Sequence, residues 1–153
     1  MTTLDKILYT AKVRTTGGRD GGSSRSDDGR LEVQLSEPGK SGNGTNPEQL
    51  FAAGWSACFL SAIRIIAAKK KIVLPSEVVV DTEVDLGRAG AGHGLSARLN
   101  ANLGDMDRDT AESLVETASN ICPYSLAIKG NIGVTYTAIT SGASIPALQS
   151  QHA

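Results

Sequence analysis

Residues 46–70 read Asn-Pro-Glu-Gln-Leu-Phe-Ala-Ala-Gly-Trp-Ser-Ala-Cys-Phe-Leu-Ser-Ala-Ile-Arg-Ile-Ile-Ala-Ala-Lys-Lys. Asn46 is a favoured N-cap, Pro47 suits the first helical position and Glu48 complements the positive end of a helix. The spacing predicts one long helix running to about Lys70. Its apolar part, Leu50 to Ala68, is nearly long enough to cross a bilayer. It carries Gly54, Ser56, Ser61 and Arg64, however, and lysines at 69, 70 and 71 close it. An unpaired central charge belongs in a core helix rather than a membrane span. At 100° per residue, Phe51, Trp55, Cys58, Ala62 and Ile65 share a band of about 80°, the expected buried face.

Strand patterns flank this helix on both sides. Ile7, Tyr9, Ala11 and Val13 alternate within Leu4 to Thr15, which predicts a strand with one buried face. Residues 16–30 carry Gly-Gly and Asp-Gly steps and read as loop and turn. Leu31, Val33 and Leu35 alternate again, and a flexible stretch leads from Pro38 to Asn46. Beyond the helix, Val78 to Leu86 and Leu95 to Leu103 alternate and are joined by glycine-rich residues 87–94, a predicted hairpin. Asp107 caps a second helix whose stripe is Ala111, Leu114, Val115 and Ala118. Cys122-Pro123 breaks that helix, and Ile132, Val134, Tyr136 and Ala138 form a last strand. Residues 1–140 are read as a single domain and 141–153 as a tail. Hairpins without strand–helix alternation predict an α+β fold with mainly antiparallel sheets around the long helix. The helices need a sheet, or a second subunit, to cover them.

Composition narrows the functional classes. The chain has 153 residues, is 40% apolar and contains 17 glycines, as expected of a globular domain rather than a disordered one. Fifteen basic against sixteen acidic residues leave a net charge of −1, which offers no footprint for nucleic acid or an anionic membrane. The first residues lack the basic and apolar runs of a secretory signal, so a cytoplasmic, reducing location is expected. There the two cysteines are either unrelated buried thiols or a working redox pair, not a permanent bridge. They stand 64 positions apart without a Cys-x-x-Cys, and neither histidine has ligand spacing, so no metal site is expected.

Each candidate residue has two readings. Cys58 is either a small hydrophobe of the helix or a thiol beside an apolar pocket formed by Phe51, Trp55, Phe59 and Tyr124. Cys122 stands before a proline, at a helix N-cap position, where a thiolate is favoured; on this ground it is at least as activated as Cys58. Arg19, in Gly-Gly-Arg-Asp-Gly, is either solvated or placed to lower a thiol pKa and bind an oxygen-rich group. Glu48 is explained by its place as a charge at the N-terminal end of the helix.

Together these residues resemble the organic hydroperoxide resistance family within the OsmC-like superfamily. The matching runs are Gly18-Arg19-Asp20-Gly21, Ser26-Asp27-Asp28-Gly29, Gly44 to Gly54, Ser56-Ala57-Cys58-Phe59, Cys122-Pro123-Tyr124-Ser125 and Gly130-Asn131. The resemblance covers nearly all the chain outside the tail. It implies an OsmC-like intertwined homodimer and a thiol peroxidase without bound cofactor or metal. Cys58 would attack the hydroperoxide and Cys122 would resolve the sulfenic acid as a disulfide. Arg19 and Glu48 would form the charged network around the thiolate, and a dihydrolipoyl group on a lipoylated protein would re-reduce the enzyme. An aromatic pocket would favour alkyl and lipid hydroperoxides. Rival readings are an OsmC-branch peroxidase of broader range and a small-molecule-binding or redox-sensing protein without turnover. Trp55 stands where tyrosine is usual and Leu126 where asparagine is common. On a continuous helix Glu48 and Cys58 lie about 15 Å apart. Either the helix breaks near Gly54 or the network draws on two subunits, so a homodimer with sites at its interface is expected.

Overall fold

The computed structural model describes residues 3–141, so the expected tail lies outside the described residues except for Ser141. The chain packs as two compact units, the first ending at Pro47 and the second beginning at Glu48. In the first, β1 (Val13–Thr16), β2 (Ser23–Ser26) and β3 (Glu32–Gln34) form an antiparallel sheet in that order. β2 falls inside the stretch expected to be loop. Its Ser-Ser-Arg-Ser sequence has no apolar alternation to announce it, and Ser24 is its one buried residue among those described. The turn from β1 to β2 is built on Gly17, Gly18 and Gly21, with φ of 71°, 71° and 87°. A Cβ on Gly22 would overlap the carbonyl oxygens of Thr16 and Gly18, so the loop closes only with glycine there.

The strand expected from Leu4 begins only at Val13. Leu4, Ile7, Leu8 and Tyr9 are 69–87% exposed. Their alternation is genuine, yet no strand among the described residues pairs with them.

The second unit holds α1 (Pro47–Lys70), β4 (Val79–Ala89), β5 (Gly92–Asn102), α2 (Arg108–Ser119), α3 (Pro123–Ile128) and β6 (Gly133–Ile139). β4 and β5 are an antiparallel hairpin, and β6 joins β5 in parallel, in the order β4-β5-β6. That pair is the one parallel pairing among the described strands, in sheets that are otherwise antiparallel as expected. Its crossover is supplied by α2 and α3, as a parallel connection requires. The hairpin also runs further than expected. Gly87 pairs with Gly94, and the strands close through a two-residue turn at Gly90 and Ala91, Gly90 taking φ 56°.

α1 is continuous through Gly54. Its buried residues are Trp55, Phe59, Ala62, Ile63, Ile66 and Ala67. This face is turned by roughly 80° from the one expected. Ile65 is half exposed, and Cys58 sits on the margin of the core rather than in it. A helix apolar nearly all round does not encode its own orientation; the sheet and α2 choose it. Leu99, Leu103, Leu114 and Val115 belong to the same buried core cluster as the buried α1 residues. Ser56 on α1 hydrogen-bonds Thr82 on β4 at 2.8 Å. The opposite α1 face, with Ala53, Ala57, Ser61 and Arg64, is exposed. α2 follows the expected pattern: Asp107 accepts from the Thr110 N–H at 3.0 Å, and Ala111, Leu114, Val115 and Ala118 are buried.

Candidate active site

The two cysteines come from separate elements and meet. Cys58 is a half-buried residue of α1. Cys122 is fully buried and is the N-cap of α3, with Pro123 filling the first helical position. Their sulfurs lie 3.3 Å apart across 64 residues of chain. Cys122 has the capping backbone expected of it but makes no capping hydrogen bond. The Tyr124 backbone N–H at this helix end instead donates to the Cys58 sulfur. The donor that favours a thiolate therefore serves the other cysteine.

Burial is the main influence on Cys58 and pushes its thiol above the ordinary range. The Tyr124 N–H opposes that shift, and the neighbouring Cys122 thiol adds to it. Within this unit, one N–H does not offset desolvation.

Aromatic rings line up beside the pair. Phe51 lies 5.3 Å from Trp55 and 6.0 Å from Tyr124 between centroids. Trp55 and Phe59 are fully buried, whereas Phe51 and Tyr124 keep surface that a ligand can touch. The tip of the Tyr124 ring rests on Gly54, where a Cβ would stand 2.9 Å from the phenol oxygen. Tyr136, read from sequence only as a strand residue, stacks on Phe59 at 5.4 Å and meets Trp55 edge-on at 6.5 Å. Ser125 was legible only as part of the Cys-Pro-Tyr-Ser run, yet it accepts from Trp55 Nε1 at 3.0 Å. Ser125 and Tyr136 also line a cavity of about 190 Å³.

Arg19 is half-buried in the glycine loop of the first unit. Glu48 is half-buried in the first turn of α1, ten residues before Cys58 on an unbroken helix. His93 lies exposed on β5, away from the cysteines in sequence and element.

This arrangement suits chemistry in which one thiol is oxidised and a second captures it. An S–S bond of about 2.05 Å requires the sulfurs to approach by only about 1.2 Å.

Residues 38–137 match the family described as OsmC-like protein. The chain is 45% identical over 141 residues to an organic hydroperoxide resistance protein of Xanthomonas axonopodis pv. citri, covering 90% of this chain and 99% of that one. It is 42% identical over 130 residues to the organic hydroperoxide resistance protein OhrB of Bacillus subtilis, covering 83% and 95%. The crystal structure of that OhrB matches with a TM-score of 0.80, covering 87% of this chain and all of the other. With the fold, the paired thiols and these likenesses together, the chain belongs to the OsmC-like family and, within it, to the organic hydroperoxide resistance proteins.

Proposed function

We propose that the protein reduces alkyl and lipid hydroperoxides to alcohols with two cysteines and no bound cofactor or metal, in the cytoplasm. Its family membership supports a role against organic hydroperoxides. The single observation that carries the chemistry is the 3.3 Å approach of Cys58 and Cys122. The Cys58 thiolate attacks the O–O bond, giving a sulfenic acid and an alkoxide that takes up a proton. The Cys122 thiol then displaces the sulfenic oxygen as water, leaving a disulfide. Phe51 and Tyr124 offer the alkyl chain apolar surface, with Trp55 and Phe59 behind them. A dihydrolipoyl group on a lipoylated protein is the proposed reductant.

Because burial raises the Cys58 pKa, the thiolate needs a cation. Arg19, held by Glu48, is the proposed source. The unbroken helix keeps Glu48 about 15 Å from Cys58, so the network is proposed to draw on two subunits. Two further features support a homodimer: the alternating segment from Leu4 to Tyr9, exposed and unpaired in strand terms among the described residues, and the exposed small-residue face of α1. A monomeric mass in solution with full peroxidase activity would refute this arrangement.

The test is a free-thiol count and intact mass after one equivalent of an alkyl hydroperoxide. The wild type should lose both thiols. Cys58→Ser should consume no hydroperoxide, and Cys122→Ser should trap a sulfenic acid. Two thiols still reduced in the wild type would replace this reading with the binding or sensing one.

A further inference from the structure

α3 has six residues, too few for a helix to persist unaided. Of those six, Ser125 alone is buried, at 2% exposure, while Tyr124 and Leu126 on either side keep 40% and 48% of their surface. Ile128 at the end of α3 packs against the core, but the one fully buried side chain of the helix is a hydroxyl. The fully buried Trp55 on α1 donates its Nε1–H to Ser125 Oγ at 3.0 Å. An indole N–H only donates, so Ser125 is the acceptor of this bond. Tyr136 on β6 lines the same cavity as Ser125. One serine thus joins α1 to α3. It stands three residues after Cys122, one helical turn away, and directly after the Tyr124 N–H that meets Cys58.

We infer that Ser125, held by the Trp55 indole, is the positioning residue for disulfide closure, keeping α3 docked on α1 so that Cys122 stays within reach of an oxidised Cys58. The inference rests on the two-cysteine reading above. Closure joins the two sulfurs and releases the sulfenic oxygen, with the thiol proton, as water. It competes with a second hydroperoxide, which oxidises the sulfenic acid to a sulfinic acid and leaves as a second alcohol. Undocking α3 slows closure without touching the second reaction, so the products shift toward sulfinic acid. Ser125 lines a cavity, so truncating it in Ser125→Ala opens space through which water can reach the Trp55 N–H, and that variant is expected to keep its fold.

The experiment compares wild type, Ser125→Ala, Trp55→Phe and the double variant. Leu99→Ala, a core truncation on β5, serves as a control of lowered stability. Intact mass gives the sulfinic-to-disulfide ratio over graded alkyl hydroperoxide. Equilibration with reduced and oxidised dithiothreitol gives the ease of disulfide formation with no peroxide present. In Ser125→Ala the first oxidation should stay within about twofold of wild type. The sulfinic-to-disulfide ratio should rise, and disulfide formation against dithiothreitol should weaken, each about tenfold, the effect of one buried hydrogen bond. Trp55→Phe should shift the ratio the same way, and the double variant should be no worse than Ser125→Ala, since both remove one bond. Ser125→Thr, which retains the hydroxyl, should restore the ratio. Unchanged products in Ser125→Ala and Trp55→Phe would overturn the inference, as would an equal shift in Leu99→Ala. A wild type that forms the disulfide against dithiothreitol but not with hydroperoxide would refute the peroxidase reading alone, and the dithiothreitol comparison would still decide the role of Ser125.

Discussion

Gly54→Ala isolates the contact between α1 and the Tyr124 ring. Gly54 lies well inside the 24-residue α1 and is absent from the glycines with positive φ. Alanine therefore fits the backbone and should gain about 0.8–1 kcal/mol of helix propensity. Against this, the new Cβ would meet Tyr124 Oη at 2.9 Å, Cζ at 3.4 Å and Cε1 at 3.5 Å. Restoring ordinary contact moves the phenol tip by roughly 0.6 Å. The atom in the way ends a flexible, 40% exposed side chain, so it can swing outward. The net change should lie between zero and a gain of about 1 kcal/mol, a rise in Tm of at most about 4 °C for a chain of this size. The Tyr124→Phe background removes the closest atom, and there Gly54→Ala should give the full gain. The difference between backgrounds measures the contact itself. Thermal or urea unfolding of the four proteins is the assay. A loss above about 1 kcal/mol in both backgrounds would refute the reasoning, because the obstacle would then not be the phenol. A change in the KM for bulky alkyl hydroperoxides with kcat retained would place the same ring in the substrate's path.

Three other perturbations follow from the charges. Arg19→Ala should leave Cys58 at the raised pKa its burial imposes; each unit costs tenfold in thiolate but returns part in nucleophilicity, so the neutral-pH rate should fall about three- to fourfold per unit. The rate should recover as pH rises, and an unchanged pH–rate profile by stopped flow would remove Arg19 from the mechanism. Burial also pushes the Tyr136 phenol up, so the unfolded chain ionises first: stability is full below about pH 10 and falls as pH rises through the folded pKa. Urea titrations from pH 8 to 11 should show that fall, and Tyr136→Phe should remove its upper part. Arg98 forks between Glu83 and Asp85 at 2.6 and 2.7 Å, but all three are partly exposed, so Arg98→Ala should cost less than about 1 kcal/mol and less again in high salt. A salt-independent loss above about 2 kcal/mol would show that the pair is effectively buried.

What the sequence disclosed and what it concealed separate along a physical line. Helix ends set by local chemistry were legible: Asn46-Pro47-Glu48 opens α1, and Asp107 caps α2 where expected. A stripe with strong polar contrast, Ala111 to Ala118, was legible for the same reason. The α1 face was not, because a helix apolar on every side turns to suit its neighbours. β2 was hidden by its serines, and glycines 87–94 suggested a loop where backbone pairing continues undisturbed. The strand from Leu4 was over-read, since alternation states which face wants cover and not whether this chain supplies it.

The site divides the same way. Cys-Pro marks a helix end, and a helix end offers a backbone N–H to a nearby sulfur. Both statements are local and both hold. Which sulfur receives the N–H is not local: it depends on α1 passing the end of α3 with Cys58 on its margin. The Cys122 side chain is turned toward Cys58 and makes no cap, while Tyr124 donates to Cys58. The helix-end cue alone put Cys122 at least level with Cys58, the family resemblance pointed to Cys58, and the N–H acts on Cys58. The same packing explains why Ser125 was overlooked. A serine after a tyrosine in a six-residue helix carries no signal of its own. Its weight comes from Trp55, seventy residues away on α1.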